Sequence, residues 1–217
     1  MMAIDQSQID RAIASAPSEE YCRAIDKVLA ERRRIARLRS AAAIRTFDDS
    51  PWLIIRVSGN ELSIRDAMLA EKIEVNVPMK MGKERRRRNE KIPARPEPVL
   101  VGYILVRCNV VADALAGLLS FQGVVSILGG YEKPFLMSAE KASQFNEKAA
   151  KGEFDHERPM SLFAGVKKVR IIEGPFAGMS GDVVAGIGGG KGTAVIEVEL
   201  FKQAVPMIMP LAFLSPL

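Results

Sequence analysis

The sequence predicts an α+β protein in four parts: a helical N-terminal extension (residues 1–50), a ferredoxin-like split α/β domain (51–151), a linker (152–162) and a small β-barrel (163–217). Three observations point there. Apolar residues recur at three- and four-residue steps in the extension, the stripe of an amphipathic helix. From residue 52 onward, β-rich and helix-forming runs follow in the order strand, helix, strand, strand, helix, strand, that of a ferredoxin-like unit with an antiparallel sheet and helices on one face. Past residue 163 short strands alternate with glycine-containing turns, the spacing of a barrel and not of a sandwich.

In the extension, Ser7 with Asp10, and Ser15 or Ser18 ahead of Glu19-Glu20, offer capping oxygens and first-turn acids. Ile25, Val28, Leu29, Ile35, Leu38 and Ala42 form the stripe, with Arg32, Arg33, Arg34, Arg37 and Arg39 assigned to the opposite face. Asp48-Asp49-Ser50-Pro51 reads as the turn that ends the helix near Thr46. Two uses stay open: a helix docked on its own protein, or an arm for nucleic acid or a partner. Trp52-Leu53-Ile54-Ile55-Arg56-Val57 is a strand, followed by a helix over 61–72 and a strand from Ile73 to Val77. From Met79 to Pro98 apolar periodicity is absent, and Pro93, Pro96 and Pro98 accumulate, which predicts a mobile loop. A strand over 99–108 broken only by Gly102, a helix over 111–120, a strand over 124–128 and a helix from a Ser138 cap to about residue 151 complete the domain. Gly152, Asp155, His156, Arg158 and Pro159 make 152–162 a linker, and strands over 166–172, 180–185, 194–201 and 205–209 build the barrel.

Composition narrows the function. At 217 residues, 48% apolar and 26% charged, the chain has material for a packed core, which excludes wholesale disorder. No run approaches the roughly 18 apolar residues of a membrane span, and the N-terminus lacks a signal-peptide pattern, so a cytoplasmic protein without a membrane partner is expected. Cys22 and Cys108 lie far apart, and His156 is the one histidine, so neither a metal site nor a disulfide framework is expected. Cys108 reads as a buried small hydrophobe. The glycine-rich run 186–193 separates Lys191 from Thr193 and precedes no helix, so it reads as a hairpin loop and not a phosphate cradle. Nothing pairs a nucleophile with a base; no enzyme activity and no cofactor are expected.

The formal charge of +5 is unevenly placed. Residues 23–45 and 80–95 each hold eight Lys/Arg against two acids, and the remainder is net negative. The run Arg85, Arg86, Arg87, Arg88 is either a solvated loop or a contact to nucleic-acid phosphates whose binding would fall steeply with salt.

The string Val169-Arg170-Ile171-Ile172-Glu173-Gly174-Pro175-Phe176-Ala177-Gly178-Met179-Ser180-Gly181-Asp182 resembles the KOW motif, in which Gly-Pro sets a turn and the phenylalanine packs back on a barrel. Trp52 opening the first strand, Val77-Pro78, Gly102-Tyr103-Ile104-Leu105-Val106, Gly123-Val124-Val125 with Leu128-Gly129-Gly130, and Ala204-Val205-Pro206 then match in order the NusG family of transcription elongation factors. The match covers about residues 51–217; a specialised RfaH-like paralogue is one form of it. The resemblance implies an NGN domain, a linker and a KOW barrel. It implies docking on the RNA polymerase clamp helices through an exposed apolar patch of Trp52, Leu100, Tyr103 and Ile104. It further implies a second partner, Rho or a NusE-type ribosomal protein, at Phe201 and Lys202; the non-specific DNA or RNA contact is expected from the arginine run alone. The KOW domain resting on the NGN domain is a further state of the RfaH relatives. Two departures stand out: Val99-Leu100-Val101 where the family has Phe-Phe-Pro, and Phe201-Lys202-Gln203 where it has Phe-Gly-Arg. A ribosome-associated KOW protein that binds RNA is the alternative, weakened by a barrel segment with five cations against four acids.

Overall fold

The computed structural model describes residues 19–44, 46–82, 84–87, 90–155, 163, 165–185, 192–200 and 203–217. In chain order the elements are α1 (Glu19–Ala42), β1 (Trp52–Val57), α2 (Glu61–Ala70), β2 (Glu74–Asn76), β3 (Met79–Met81), β4 (Arg85–Arg87), β5 (Glu90–Ile92), β6 (Pro96–Pro98), β7 (Tyr103–Arg107), α3 (Ala112–Leu119), β8 (Val124–Ile127), β9 (Leu136–Met137) and α4 (Ala139–Ala150). Then come β10 (Lys168–Ile171), β11 (Ser180–Ala185), β12 (Thr193–Leu200), β13 (Gln203–Pro210), a 3-10 turn (Leu211–Phe213) and β14 (Leu214–Pro216). Mixed helix and sheet, the fold is α+β, as the sequence predicts.

The first sheet is antiparallel in the order β2-β7-β1-β8, with β9 also on β1. Its two central strands are apolar at nearly every position, and strand geometry sends alternate residues to opposite faces. Leu53, Ile55, Val57, Ile104 and Val106 enter one core with Ile64 and Met68 of α2 and Leu115 and Leu118 of α3. Trp52, Ile54, Tyr103 and Leu105 enter a second core. That core continues through Phe145 of α4 into the C-terminal sheet, order β13-β12-β11-β10-β14, whose Val169, Ile171, Ile196, Val198, Met207 and Met209 are buried in it. The expected sheet had helices on one face only. Here the opposite face is covered as well, and covered strands have no polar alternation.

Local chemistry explains most boundaries. Asn60 caps α2 by accepting from Leu62 N–H at 3.0 Å, and Ser138 caps α4 by accepting from Lys141 N–H at 3.4 Å. The proposed caps Ser7, Ser15 and Ser18 lie outside the described residues. Cys108 is buried, as predicted, and burial pushes its thiol up to about 11.

Three expectations need correction. The stretch from Met79 to Pro98 is not a loop: β3 pairs with β6 and β4 with β5. Val99 N–H donates to Pro78 O and Gly82 N–H to Arg95 O, both at 2.9 Å. Those bonds set the ladder's alternation, so Pro96 and Pro98 fall at pairs whose N–H would point away from β3, positions an edge strand gives to proline. The strand expected from residue 99 starts at Tyr103, because 99–102 is a turn with Gly102 at φ +83°. The linker expected over 152–162 is anchored: Phe154 within it and Phe163 just past its end are both buried.

Candidate functional site

The residues expected to form an exposed apolar patch are not exposed. Trp52, Leu100, Tyr103 and Ile104 retain 8%, 2%, 4% and 0% of their surface. The alternation of β7 divides them: Ile104 faces α2 and α3 and is ordinary core, whereas Trp52, Leu100 and Tyr103 lie on the face that the C-terminal sheet covers.

The cover is built from aromatic rings. Gly174, at φ +83°, and Pro175 turn the chain after β10 and aim Phe176 at the first sheet. The Phe176 ring meets Tyr103 edge-on at 6.0 Å between centroids and Phe135 at the same distance. A second set joins Phe145 of α4, Phe154 and Phe213: Phe213 lies 5.9 Å from Phe145 and 4.8 Å from Phe154, both T-shaped. Each such pair contributes about 0.5–1.5 kcal/mol beyond its buried area. Lys148 Nζ donates to both oxygens of Glu173 at 2.7 Å, with both side chains about a third exposed. Solvent screening holds such a pair to about 1 kcal/mol or less. At the rim, Arg56, Ser126 and Gly129 face Gln203, Ala204 and Pro206 across a groove.

One atom is out of place in this packing. The Tyr103 hydroxyl is buried and finds no hydrogen-bond partner among the described residues. Burial raises its pKa above the ordinary 10.0, an effect partly offset by the Arg56 charge. An orphaned buried hydroxyl costs about 1–3 kcal/mol, which hydration would return if the two sheets parted. Tyr103→Phe keeps the ring contact and removes the orphan, so it is expected to tighten the closed form by about 1–2 kcal/mol in denaturant titrations. Because the buried pKa is the higher one, the wild-type contact is intact below pH 10.0 and is lost as pH rises through the raised value. The phenylalanine variant is expected to lack that alkaline loss; equal alkaline curves would contradict the assignment.

Trp52 is held from its other side. The Arg107 guanidinium sits 5.1 Å from its ring centre and is itself fixed by a two-pronged contact with Glu74, which raises the pKa of Arg107 and keeps it charged. Of the arginine run, Arg85–Arg87 form β4, and Arg88 lies outside the described residues. Phe201 and Lys202, expected to meet a second partner, also lie outside them, as do His156 and the glycine-rich run 186–191.

Sequence reasoning missed Phe135, Phe145, Phe154 and Phe213, the Lys148–Glu173 pair, and the direction in which Phe176 packs. A signal for the cover was present: Trp52–Ile55 and Tyr103–Val106 are unbroken apolar runs, whereas a sheet with one solvated face alternates.

Residues 50–146 match the family model described as "Transcription termination factor nusG". Over this domain, somewhat under half of its length, the chain is similar to the NusG family of transcription factors. It is similar to the solved structure "Domain interaction in Thermotoga maritima NusG" at 16% identity and a TM-score of 0.38, over 80% of this chain and 98% of that one. It is also similar to the Spt5 structure "Crystal Structure of MjSpt4:Spt5 complex conformation A" at 18% identity and a TM-score of 0.23, over 76% and 97%. No curated protein matches the chain. Among the described residues no helix is long and apolar enough to cross a membrane.

Proposed function

We propose that residues 51–151 act as an NGN domain that docks on the clamp helices of RNA polymerase through Trp52, Leu100 and Tyr103. Residues 163–217, as a KOW barrel, cover that face until polymerase is engaged. The observation that supports this is the cover itself: an apolar face buried by rings from a separate sheet, with the Tyr103 hydroxyl unsatisfied. Aromatic anchors of this kind are the usual centre of a protein interface. Ile104 is no part of the proposed face, since it points into the helix-side core.

Opening is then a population shift. The apparent affinity for polymerase is reduced by the fraction of molecules that are open, and the uncovered barrel becomes available to a second partner. Phe201 and Lys202, between β12 and β13, are proposed as that surface, for Rho or a NusE-type ribosomal protein. The run Arg85–Arg88, whose first three residues form β4, is proposed to touch nucleic-acid phosphates near the docked enzyme. The ribosome-associated alternative is disfavoured, because the family match lies in the first domain and not in the barrel.

Capture of core RNA polymerase tests the proposal. The wild type is expected to capture little and Phe176→Ala at least tenfold more. Adding Leu100→Asp and Tyr103→Ala to Phe176→Ala is expected to abolish the gain. Equal capture by the open variant with and without the two added changes removes Leu100 and Tyr103 from the argument.

A further inference from the structure

Helix α1 carries a basic surface that the reading above leaves unused. Its last turns are clamped to α3. Arg39 donates from Nε to Ser120 Oγ and from its terminal nitrogen to Ser120 O, each at 3.0 Å, and its guanidinium lies 4.0 Å from the centre of the Phe121 ring. Arg39, expected on the face opposite the apolar stripe, belongs to the clamp instead. Ahead of the clamp, residues 22–34, 36 and 37 are exposed. With 3.6 residues per turn, Lys27, Arg33, Arg34 and Arg37 share about a third of the helix circumference, with Val28 and Ile35 on the other side. Asp26 is the acid among them. Arg34 also meets Glu31 at 3.4 Å, an exposed i,i+3 contact that is worth little and readily exchanged.

We infer that this face binds the phosphate backbone of duplex DNA without reading its sequence. Charge complementarity carries the choice. Lys27 to Arg37 spans about 15 Å of helix, a length over which duplex DNA offers roughly nine phosphates. Guanidinium groups donate to phosphate oxygens in pairs, and a helix fixed at its base presents them without a large ordering cost. Single strands are gripped by stacking on aromatic rings, and residues 22–42 contain none. They also contain no Asn or Gln, the side chains that pair with adenine edges in the major groove. The inference is independent of polymerase docking and of the Arg85–Arg88 run.

The test uses the full-length protein and a 30-base-pair duplex, with affinity followed by fluorescence anisotropy from 50 to 200 mM salt. For R33S/R34S/R37S the slope of log affinity against log salt is expected to be shallower by about 2–3, since each phosphate contact contributes about 0.9. Affinity at 100 mM salt is expected to fall at least tenfold. The three positions are exposed, so folding is unaffected, which circular dichroism verifies; R33K/R34K/R37K is expected to retain the wild-type slope. An unchanged slope in the serine variant overturns the inference, as does its loss in the lysine variant. Tighter binding to single-stranded RNA of equal length overturns it too.

Discussion

Phe176→Ala is expected to lower stability by about 3–5 kcal/mol and to expose the apolar face of the first sheet. The side chain is fully buried and holds contacts on both sides of the junction. It belongs to the turn after β10, yet its ring meets Tyr103 of β7 and Phe135 ahead of β9. Truncation leaves a cavity where two aromatic contacts had been, and the Lys148–Glu173 pair is too screened to offset that loss. A denaturant titration combined with binding of an apolar dye checks this. The expected result is a lower midpoint together with dye binding under native conditions. A lower midpoint without dye binding would make Phe176 filler of the C-terminal sheet, and the junction would then rest on Phe145, Phe154 and Phe213 alone.

What the sequence disclosed and what it hid separate along the range of the interactions involved. β1 and β11 run over the residues predicted, because apolar β-forming runs closed by turn residues are short-range signals. Ser138 was readable as a cap for the same reason. The ring cluster was not, since Tyr103 and Phe176 lie 73 positions apart and nothing local pairs them. An apolar patch awaiting a partner and one already covered from within the chain also have the same composition, so the site residues were named with the wrong exposure. The prolines misled in a different way. Their number suggested a loop, while their alternation, Pro96 and Pro98 around Glu97, is what an edge strand tolerates. Arg39 was misplaced because its charge outweighed its helical position, four residues beyond Ile35 and three before Ala42 on the docked side.

Gly117→Ala is expected to detach α1. A β-carbon at that position would start 2.3 Å from the Leu38 carbonyl oxygen, 2.6 Å from its carbon and 3.0 Å from the Arg39 nitrogen. All three are backbone atoms, so no side-chain rotation relieves the clash, and the two helices must move apart. The movement pulls Arg39 from Ser120 and Phe121 and uncovers Ala42, which is 1% exposed. Overpacking of this kind costs about 1–3 kcal/mol and more where backbone is struck; alanine returns about 1 kcal/mol through its better helix propensity. The net expectation is a loss of up to about 2 kcal/mol, accompanied by faster hydrogen exchange and proteolysis across α1. Unchanged protection of α1 would show that the close crossing is not what holds it. The same variant separates charge from posture in the DNA contact. Its arginines are intact, so the salt slope, which counts phosphates, is expected to stay near the wild-type value. The affinity itself is expected to drop, because a loosened helix must be ordered again on binding.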